Sequence, residues 1–191
     1  MIQAPLSAVS SLRPGCFASP ATVLLAAALC GVSTAGHALA NIGFEIGTAS
    51  DSTQVVRLGG QREWASRWSI GQGWIASGFW EGSLGLLRGN GAGGQDLGDI
   101  SFTPVFRLRS GISRFYLEGA IGAHYFTKTR VNNQRAFGEH LQFGEHIGFG
   151  WDFGEKDRYQ LGYRFQHISN ADMAVPNDGI RLHLIRLGYH Y

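Results

Sequence analysis

Apolar and polar residues alternate along most of the chain after residue 41, which is the pattern of β-strands with one apolar face. Eight such segments are separated by polar or glycine-rich turns, and all run antiparallel if neighbours are joined directly. They lie near residues 42–46, 56–58, 74–86, 100–109, 115–125, 141–153, 158–169 and 179–191. Because only a closed sheet satisfies every backbone group in hydrocarbon, the pattern predicts an all-β, eight-stranded antiparallel transmembrane β-barrel.

The first 40 residues have a different pattern, which is typical of an export signal. Arg13 precedes the apolar run ATVLLAAALCGV at residues 21–32, and Ala38-Leu39-Ala40 follows it as a small-x-small cleavage site. The run is too short to cross a bilayer well. We therefore expect residues 1–40 to be a cleaved signal peptide and residues 41–191 to be the barrel. Cys16 and Cys30 both lie in the signal segment, so the mature chain offers no disulfide and no thiol nucleophile.

The other end of the chain and its composition agree with a barrel in the bacterial outer membrane. The last strand, HLIRLGYHY, alternates apolar residues and ends on Tyr191, as the C-terminal strands of outer-membrane barrels do. The 16 Lys and Arg nearly balance the 14 Asp and Glu, giving a net charge of +2. This charge gives no argument for a nucleic-acid partner.

Charged residues fall on the inward positions of several predicted strands. Eight strands leave an interior that side chains fill, so opposite charges can pair across it and a conducting pore is not expected. A single carboxylate there, such as Glu81 or Glu118, is better interpreted as a neutralised core charge than as a catalytic acid. The predicted inward set is Glu45, Arg57, Glu81, Arg107, Arg109, Arg114, Glu118 and Arg164.

One strand breaks the apolar pattern of its outward face. In residues 158–169, RYQLGYRFQHIS, the face that carries Leu161 and Phe165 continues into His167 and Ser169. A potential base and a potential nucleophile, two residues apart, thus share the lipid-facing side. This placement suits a substrate that is itself a lipid.

The segment HISNADMAVPNDGI, His167 to Ile180, closely resembles the motif of the PagL-type lipid A 3-O-deacylases, in which His-x-Ser-Asn-Ala precedes Pro-Asn-x-Gly. Weaker likeness extends over FTPVFRLR, FYLEGAIGA and LQFGEHIGFG, which begin at residues 102, 115 and 141. The resemblance implies an outer-membrane serine esterase acting on lipopolysaccharide without a cofactor or metal. It implies Ser169 as nucleophile and His167 as general base, with Asn170, through its side chain or the backbone donors around it, as the candidate for stabilising the oxyanion. Asn177 and Gly179 would shape the neighbouring loop.

The chain departs from the family motif at the residue that orients the histidine. The family has glutamate there, whereas this chain has Arg181, which cannot accept the imidazole N–H. If a tight turn near residues 154–157 pairs Phe153 with residue 159, counting places Glu145 opposite His167 on the lipid-facing side. Glu145 could then serve as the acid or pair with Arg181, and these roles are not exclusive. A third possibility is that Asp178 in the preceding loop bends back to His167.

Three hypotheses follow for the function. The first is a lipid A deacylase with an altered triad that hydrolyses the 3-hydroxyacyl ester of lipopolysaccharide. The second is a catalytically silent barrel of the same fold that binds lipopolysaccharide or stiffens the membrane. The third is a soluble exported β-sandwich or lipocalin-like binder, whose apolar face would turn inward. The sequence leaves acyl-chain preference and oligomeric state open, with a homodimer as one candidate.

Overall fold

The computed structural model describes residues 40–49 and 51–191, and about two thirds of this part is β-strand. Within these residues, no helix has both the length and the apolarity to cross a membrane. The predicted signal peptide lies outside the described residues, except for Ala40. The strands are β1 (Asn41–Ala49), β2 (Gln54–Glu63), β3 (Trp68–Ile70), β4 (Trp74–Arg88), β5 (Asp96–Ser110), β6 (Phe115–Phe126), β7 (Arg130–Asn132), β8 (Arg135–Ala136), β9 (Leu141–Phe153), β10 (Tyr159–Ser169) and β11 (Ile180–His190).

Eight of these strands close into an antiparallel barrel, which confirms the predicted fold. The order around the barrel is β1, β2, β4, β5, β6, β9, β10 and β11, and β11 pairs back with β1. The short β3 extends one edge of β4, and β7 pairs with β8 in a hairpin between β6 and β9. Each of the eight strands thus has a hydrogen-bonded neighbouring strand on both sides, as a strand in hydrocarbon requires.

The outer surface is apolar, because alternate residues of each strand point away from the lumen. Ile147, Leu84 and Leu86 are 68%, 66% and 65% exposed, values that an ordinary soluble core would not tolerate in such number. This surface excludes the lipocalin-like alternative, which requires an inward apolar face. Other outward residues that follow the predicted alternation are Ile42, Phe44, Ile46, Leu58, Ile100, Phe106, Leu117, Ile121, Leu161 and Leu187.

A buried charge network fills the middle of the lumen. Arg164 lies at its centre, and its guanidinium contacts the carboxylates of Glu45, Glu81 and Glu118, each at 2.6 Å. Removing one partner from such a buried pair costs about 3–5 kcal/mol, because the remaining charge is left unneutralised. These carboxylates are therefore structural, as predicted. The network also includes Arg57, Asp99, Arg107, His124 and Arg186.

All of the predicted inward charges face the lumen except Arg114. Strand β6 begins at Phe115, so Arg114 lies in the β5–β6 turn, half exposed, where it pairs with Asp157 at 2.8 Å. The prediction for Arg114 was therefore wrong, because the alternation was extended one residue past the strand. Asp99 and Arg186, which the prediction missed, belong to the same inward set.

The lumen becomes apolar towards the end of the barrel where β10 ends. Four connections lie at this end, because they follow β1, β4, β6 and β10; their described residues are 51–53, 89–95, 127–140 and 170–179. They hydrogen-bond to one another, for example from the Gln95 N–H to the Val131 carbonyl at 2.8 Å and from the Gly138 N–H to the Pro176 carbonyl at 2.5 Å. Beneath them is a buried apolar cluster of Ala49, Val55, Leu87, Leu97, Phe126, Val131, Phe137, Ile168, Ile180, Leu182 and Leu184. We call this end of the barrel the capped end.

Candidate active site on the outer surface

His167 and Ser169 lie at the end of β10, on the outer surface of the capped end. Both side chains are partly exposed, whereas Gln166, Ile168 and Asn170 between and beside them are buried. The strand therefore continues its alternation without a bulge up to Ser169. The two side chains face the same side as the apolar outer residues of β10, as the sequence predicts.

An acid, a histidine and an arginine form one row across three neighbouring strands. His167 is paired with Glu145 of β9 on one side and with Arg181 of β11 on the other. Phe153 is paired with Tyr159, so the register predicted from the tight turn is the one observed. Glu145 and Arg181 are both exposed on the outer face. Directly opposite residues have Cβ atoms about 5 Å apart, so each flanks the imidazole closely.

The imidazole of His167 rests against Gly179. A Cβ atom added to Gly179 would lie 2.8 Å from His167 Cε1, closer than real Cβ contacts allow. Gly179 also has a φ of +59°, a left-handed conformation that favours glycine. The backbone at position 179 thus lies so close to the histidine that a side chain there would clash with the imidazole. Gly179 therefore has a specific structural role beside His167.

The imidazole has no orienting partner in this structure. Nδ1 of His167 is buried and forms no hydrogen bond. Within the described residues, Glu145 and Arg181 form no ion pair with each other, and neither hydrogen-bonds to the His167 ring. Asp178 is turned away, because its Oδ2 accepts a hydrogen bond from the Ala136 N–H at 2.7 Å. Of the two candidate acids, only Glu145 combines a free carboxylate with a position opposite His167.

The loop after Ser169 is organised by two asparagines. The Asn170 backbone N–H donates to Asn177 Oδ1 at 3.0 Å, and Asn170 Nδ2 donates to the Ala174 carbonyl at 2.7 Å. The Asn170 side chain is buried, on the inward side of the strand. Both asparagines therefore form hydrogen bonds within the loop. The Asn170 side chain is thus engaged within the loop. Hydrogen-bond donors near Ser169 would therefore be backbone N–H groups rather than this side chain.

A tight turn directly follows Ser169, and the sequence analysis missed it. The Met173 N–H donates to the Asn170 carbonyl at 3.2 Å, while Ala171 and Asp172 have φ of 53° and 59°. Two successive left-handed residues define a type I′ turn. Alanine gives no sequence signal for that conformation, since glycine or asparagine is usual there. Ala171 and Asp172 are the two central residues of this turn, which begins at Asn170, directly after Ser169.

A second feature missed by the sequence analysis is a polar brace behind the site. Arg135 of β8 donates to the Gly179 carbonyl, and its Nε lies 2.6 Å from Asp51 Oδ2. Burial raises the pKa of the Asp51 carboxyl, but hydrogen bonds from Arg135 and Thr53 outweigh this effect and hold the pKa below its usual range. The brace is thus charged at neutral pH and is lost only as the pH falls through that lowered value. Residues 84 positions apart carry this contact, so no local pattern reveals it.

The fold and the site together define a membrane β-barrel with a histidine and a serine on its lipid-facing surface. The family model described as lipid A 3-O-deacylase (PagL) matches residues 54–190. The lipid A deacylase PagL of Pseudomonas aeruginosa is 32% identical over 156 residues, which cover 81% of this chain and 88% of that protein. The lipid A deacylase PagL of Bordetella bronchiseptica is 41% identical over 96 residues, or 48% of each chain.

A solved structure agrees with these sequence relatives. The crystal structure of the outer membrane enzyme PagL matches with a TM-score of 0.72 at 28% identity, covering 80% of this chain and 100% of that one. The chain therefore belongs to the PagL family of lipid A 3-O-deacylases. Its apolar outer surface is that of an outer-membrane barrel, as the sequence predicts.

Proposed function

We propose that this protein is an outer-membrane lipid A 3-O-deacylase that uses Ser169 and His167. The observation that carries the proposal is the position of these two residues on the lipid-facing surface, beside a braced loop at the capped end. A substrate anchored in the membrane by acyl chains can reach a site there without leaving the bilayer. Both sequence relatives are named as lipid A deacylases, which supports the same reaction for this chain.

The proposed reaction is acyl transfer through serine. Ser169 Oγ attacks the ester carbonyl while His167 takes the hydroxyl proton, most simply on Nε2, because Nδ1 is buried. The tetrahedral intermediate collapses, the sugar 3-oxygen leaves, and His167 returns the proton to it. Water then attacks the acyl-serine with His167 again as base, releasing a 3-hydroxy fatty acid and restoring Ser169.

The developing oxyanion needs donors aimed at the carbonyl oxygen. We propose that these come from the backbone around Asn170, with the N–H groups of the left-handed Ala171 and Asp172 as the candidates. Asn170 and Asn177 then act by holding the turn in place through their own hydrogen bonds. Donors fixed before the reaction stabilise the oxyanion most strongly, because nothing has to reorganise when the charge forms.

We further propose that Glu145 is the acid that orients His167. A buried imidazole N–H without an acceptor costs about 1–3 kcal/mol, whereas an exposed side chain changes rotamer at smaller cost. The balance therefore favours rotation of the Glu145 carboxylate towards the ring. The positive charge of Arg181 destabilises the protonated imidazole that forms during catalysis. A carboxylate on the opposite side of the ring would offset this effect.

Mass spectrometry of lipid A tests the proposed function directly. Cells that produce the chain should yield lipid A lighter by one 3-hydroxyacyl group than cells with an empty vector. An unchanged lipid A mass, together with a barrel that is folded and heat-modifiable on gels, would favour the silent lipopolysaccharide-binding barrel instead. The unpartnered Nδ1 of His167 and the cation at position 181 are the observations on the side of that alternative.

Replacing Gly179 with alanine should lower deacylation about 100-fold, because displacement of a catalytic group by about 1 Å has an effect of that size. The added Cβ would push the His167 ring from its place. Gly91→Ala is the matched control: Gly91 also has positive φ, at 85°, but open space surrounds its Cβ position. Equal loss of activity in the two variants would mean that backbone strain, rather than contact with His167, explains the effect.

A further inference from the structure

We propose that Arg181 binds the phosphate carried by the same sugar as the scissile ester, so that the altered acid position has become a site of substrate recognition. This inference rests on the proposed function, and it concerns which substrate that function selects. The phosphate on the glycosidic carbon of lipid A is the group in question.

Arg181 is exposed on the outer surface and has no carboxylate partner within the described residues. The nearby acids are otherwise placed: Asp51 is paired with Arg135, Asp178 with the Ala136 backbone, and Glu145 lies on the far side of His167. A lone guanidinium on the surface of a membrane barrel is costly unless an anion meets it. Because no described residue provides this anion, a phosphate of the substrate can provide it.

The spacing between Arg181 and Ser169 fits a phosphate on the reacting sugar. Arg181 is paired with His167, which is two residues from Ser169. Two residues along a strand span about 7 Å and one strand spacing about 4.8 Å. A long arginine side chain covers this separation. On the glucosamine ring only one carbon separates the glycosidic position from the acylated oxygen's carbon, so the sugar places the two groups at similar separation.

An arginine–phosphate pair is chemically favourable at this place, and it compensates for the glutamate that is missing at position 181. A guanidinium binds phosphate oxygens through two parallel hydrogen bonds, which also fixes the orientation of the sugar. A phosphate monoester carries a charge of about −1.5 to −2 at pH 7. Together with the arginine it leaves a net negative charge beside His167. The bound substrate thus supplies, next to the imidazole, the sign of charge that a glutamate would have supplied.

The test uses two forms of lipid A, one with both phosphates and one lacking the glycosidic phosphate. Wild type should show kcat/KM at least about tenfold higher on the phosphorylated form, the size expected for a charge-assisted contact. Arg181→Gln should lose this preference and Arg181→Lys should keep part of it. Arg88→Gln is the matched control, because Arg88 is an exposed arginine at the capped end of β4, and it should keep the full preference. An undiminished preference in Arg181→Gln would overturn the inference.

Binding to the Ser169→Ala barrel in mixed micelles separates this inference from the proposed function. In this background, tighter binding of the phosphorylated form supports the phosphate site if the difference disappears when Arg181→Gln is added. This conclusion holds even if wild type hydrolyses neither form. Hydrolysis of both forms at equal rate would uphold the deacylase and refute the phosphate site. Phosphatidylglycerol vesicles should compete weakly, and competition equal to that of lipid A would show a general membrane-phosphate contact, contrary to the inference.

Discussion

Ser169→Ala should reduce deacylation by about 10⁴-fold or more, as loss of a nucleophile does in serine hydrolases. His167→Ala should have a comparable effect, because nucleophile and base act as one unit and their losses do not add. The measurement is release of 3-hydroxy fatty acid from lipid A by the purified barrel in detergent micelles. Both side chains lie on the outer surface and make no hydrogen bond with the lumen network, so the barrel should assemble normally.

Two variants serve as matched controls for this experiment. Ser69→Ala removes an exposed serine from β3, and His183→Ala removes an exposed histidine from β11 that is hydrogen-bonded to Tyr163 rather than to the site. Both should retain activity and heat-modifiable migration on gels. Full activity in Ser169→Ala would disprove the proposed mechanism, whereas loss of activity in the controls would indicate general damage to the outer surface.

Strand alternation and register were predictable because both depend on local rules. Side chains in a strand alternate with a period of two, so a shift of one residue would turn the whole apolar face inward. The short connection between β9 and β10 then fixes the pairing of Phe153 with Tyr159, and counting from it places Glu145 opposite His167. The position of Glu145 opposite His167 could therefore be predicted from the length of one turn and from the alternation of side chains along the strands.

The brace and the left-handed turn could not be predicted, for two different reasons. Arg135, Asp51 and Gly179 meet only because three loops fold together over the capped end, and such contacts have no spacing in sequence. Ala171 adopts positive φ against its own preference, since the bonds made by Asn170 and Asn177 determine the loop. Tertiary contacts override local propensity at these positions.

The interior was predicted only in part. Opposite inward charges indicated that the lumen is filled, but not that Arg164 would be shared among three carboxylates. Nor did the expectation of a polar interior anticipate the buried apolar cluster beneath the loops, where Phe126 and Phe137 pack edge to face. At the capped end the loops shield the interior, so apolar packing there stabilises the loops without any need for paired charges.

Glu145→Gln should cost most of the activity while preserving the shape of the site. The amide can still accept a hydrogen bond from the imidazole, but it offers no charge to offset the imidazolium, and a comparable acid-to-amide change in a serine hydrolase lowers kcat by about 10⁴-fold. The expected signature is a large fall in kcat with little change in KM, measured on lipid A in micelles. Asp178→Asn is the comparison, because Asp178 is committed to the Ala136 backbone and should affect stability more than kcat.

Arg181→Glu completes this experiment, because it returns a carboxylate to the position from which the family motif orients the histidine. On lipid A lacking the glycosidic phosphate, this variant should be at least as active as wild type, since it removes a cation beside the base and adds an acceptor. The double variant with Glu145→Gln should then recover activity that Glu145→Gln alone has lost. If wild type is inactive and Arg181→Glu gains deacylation, the natural chain is a silent barrel whose fold has outlasted its chemistry. If wild type is active and indifferent to Glu145→Gln, serine and histidine suffice as a dyad, and the assignment of Glu145 as the acid is wrong.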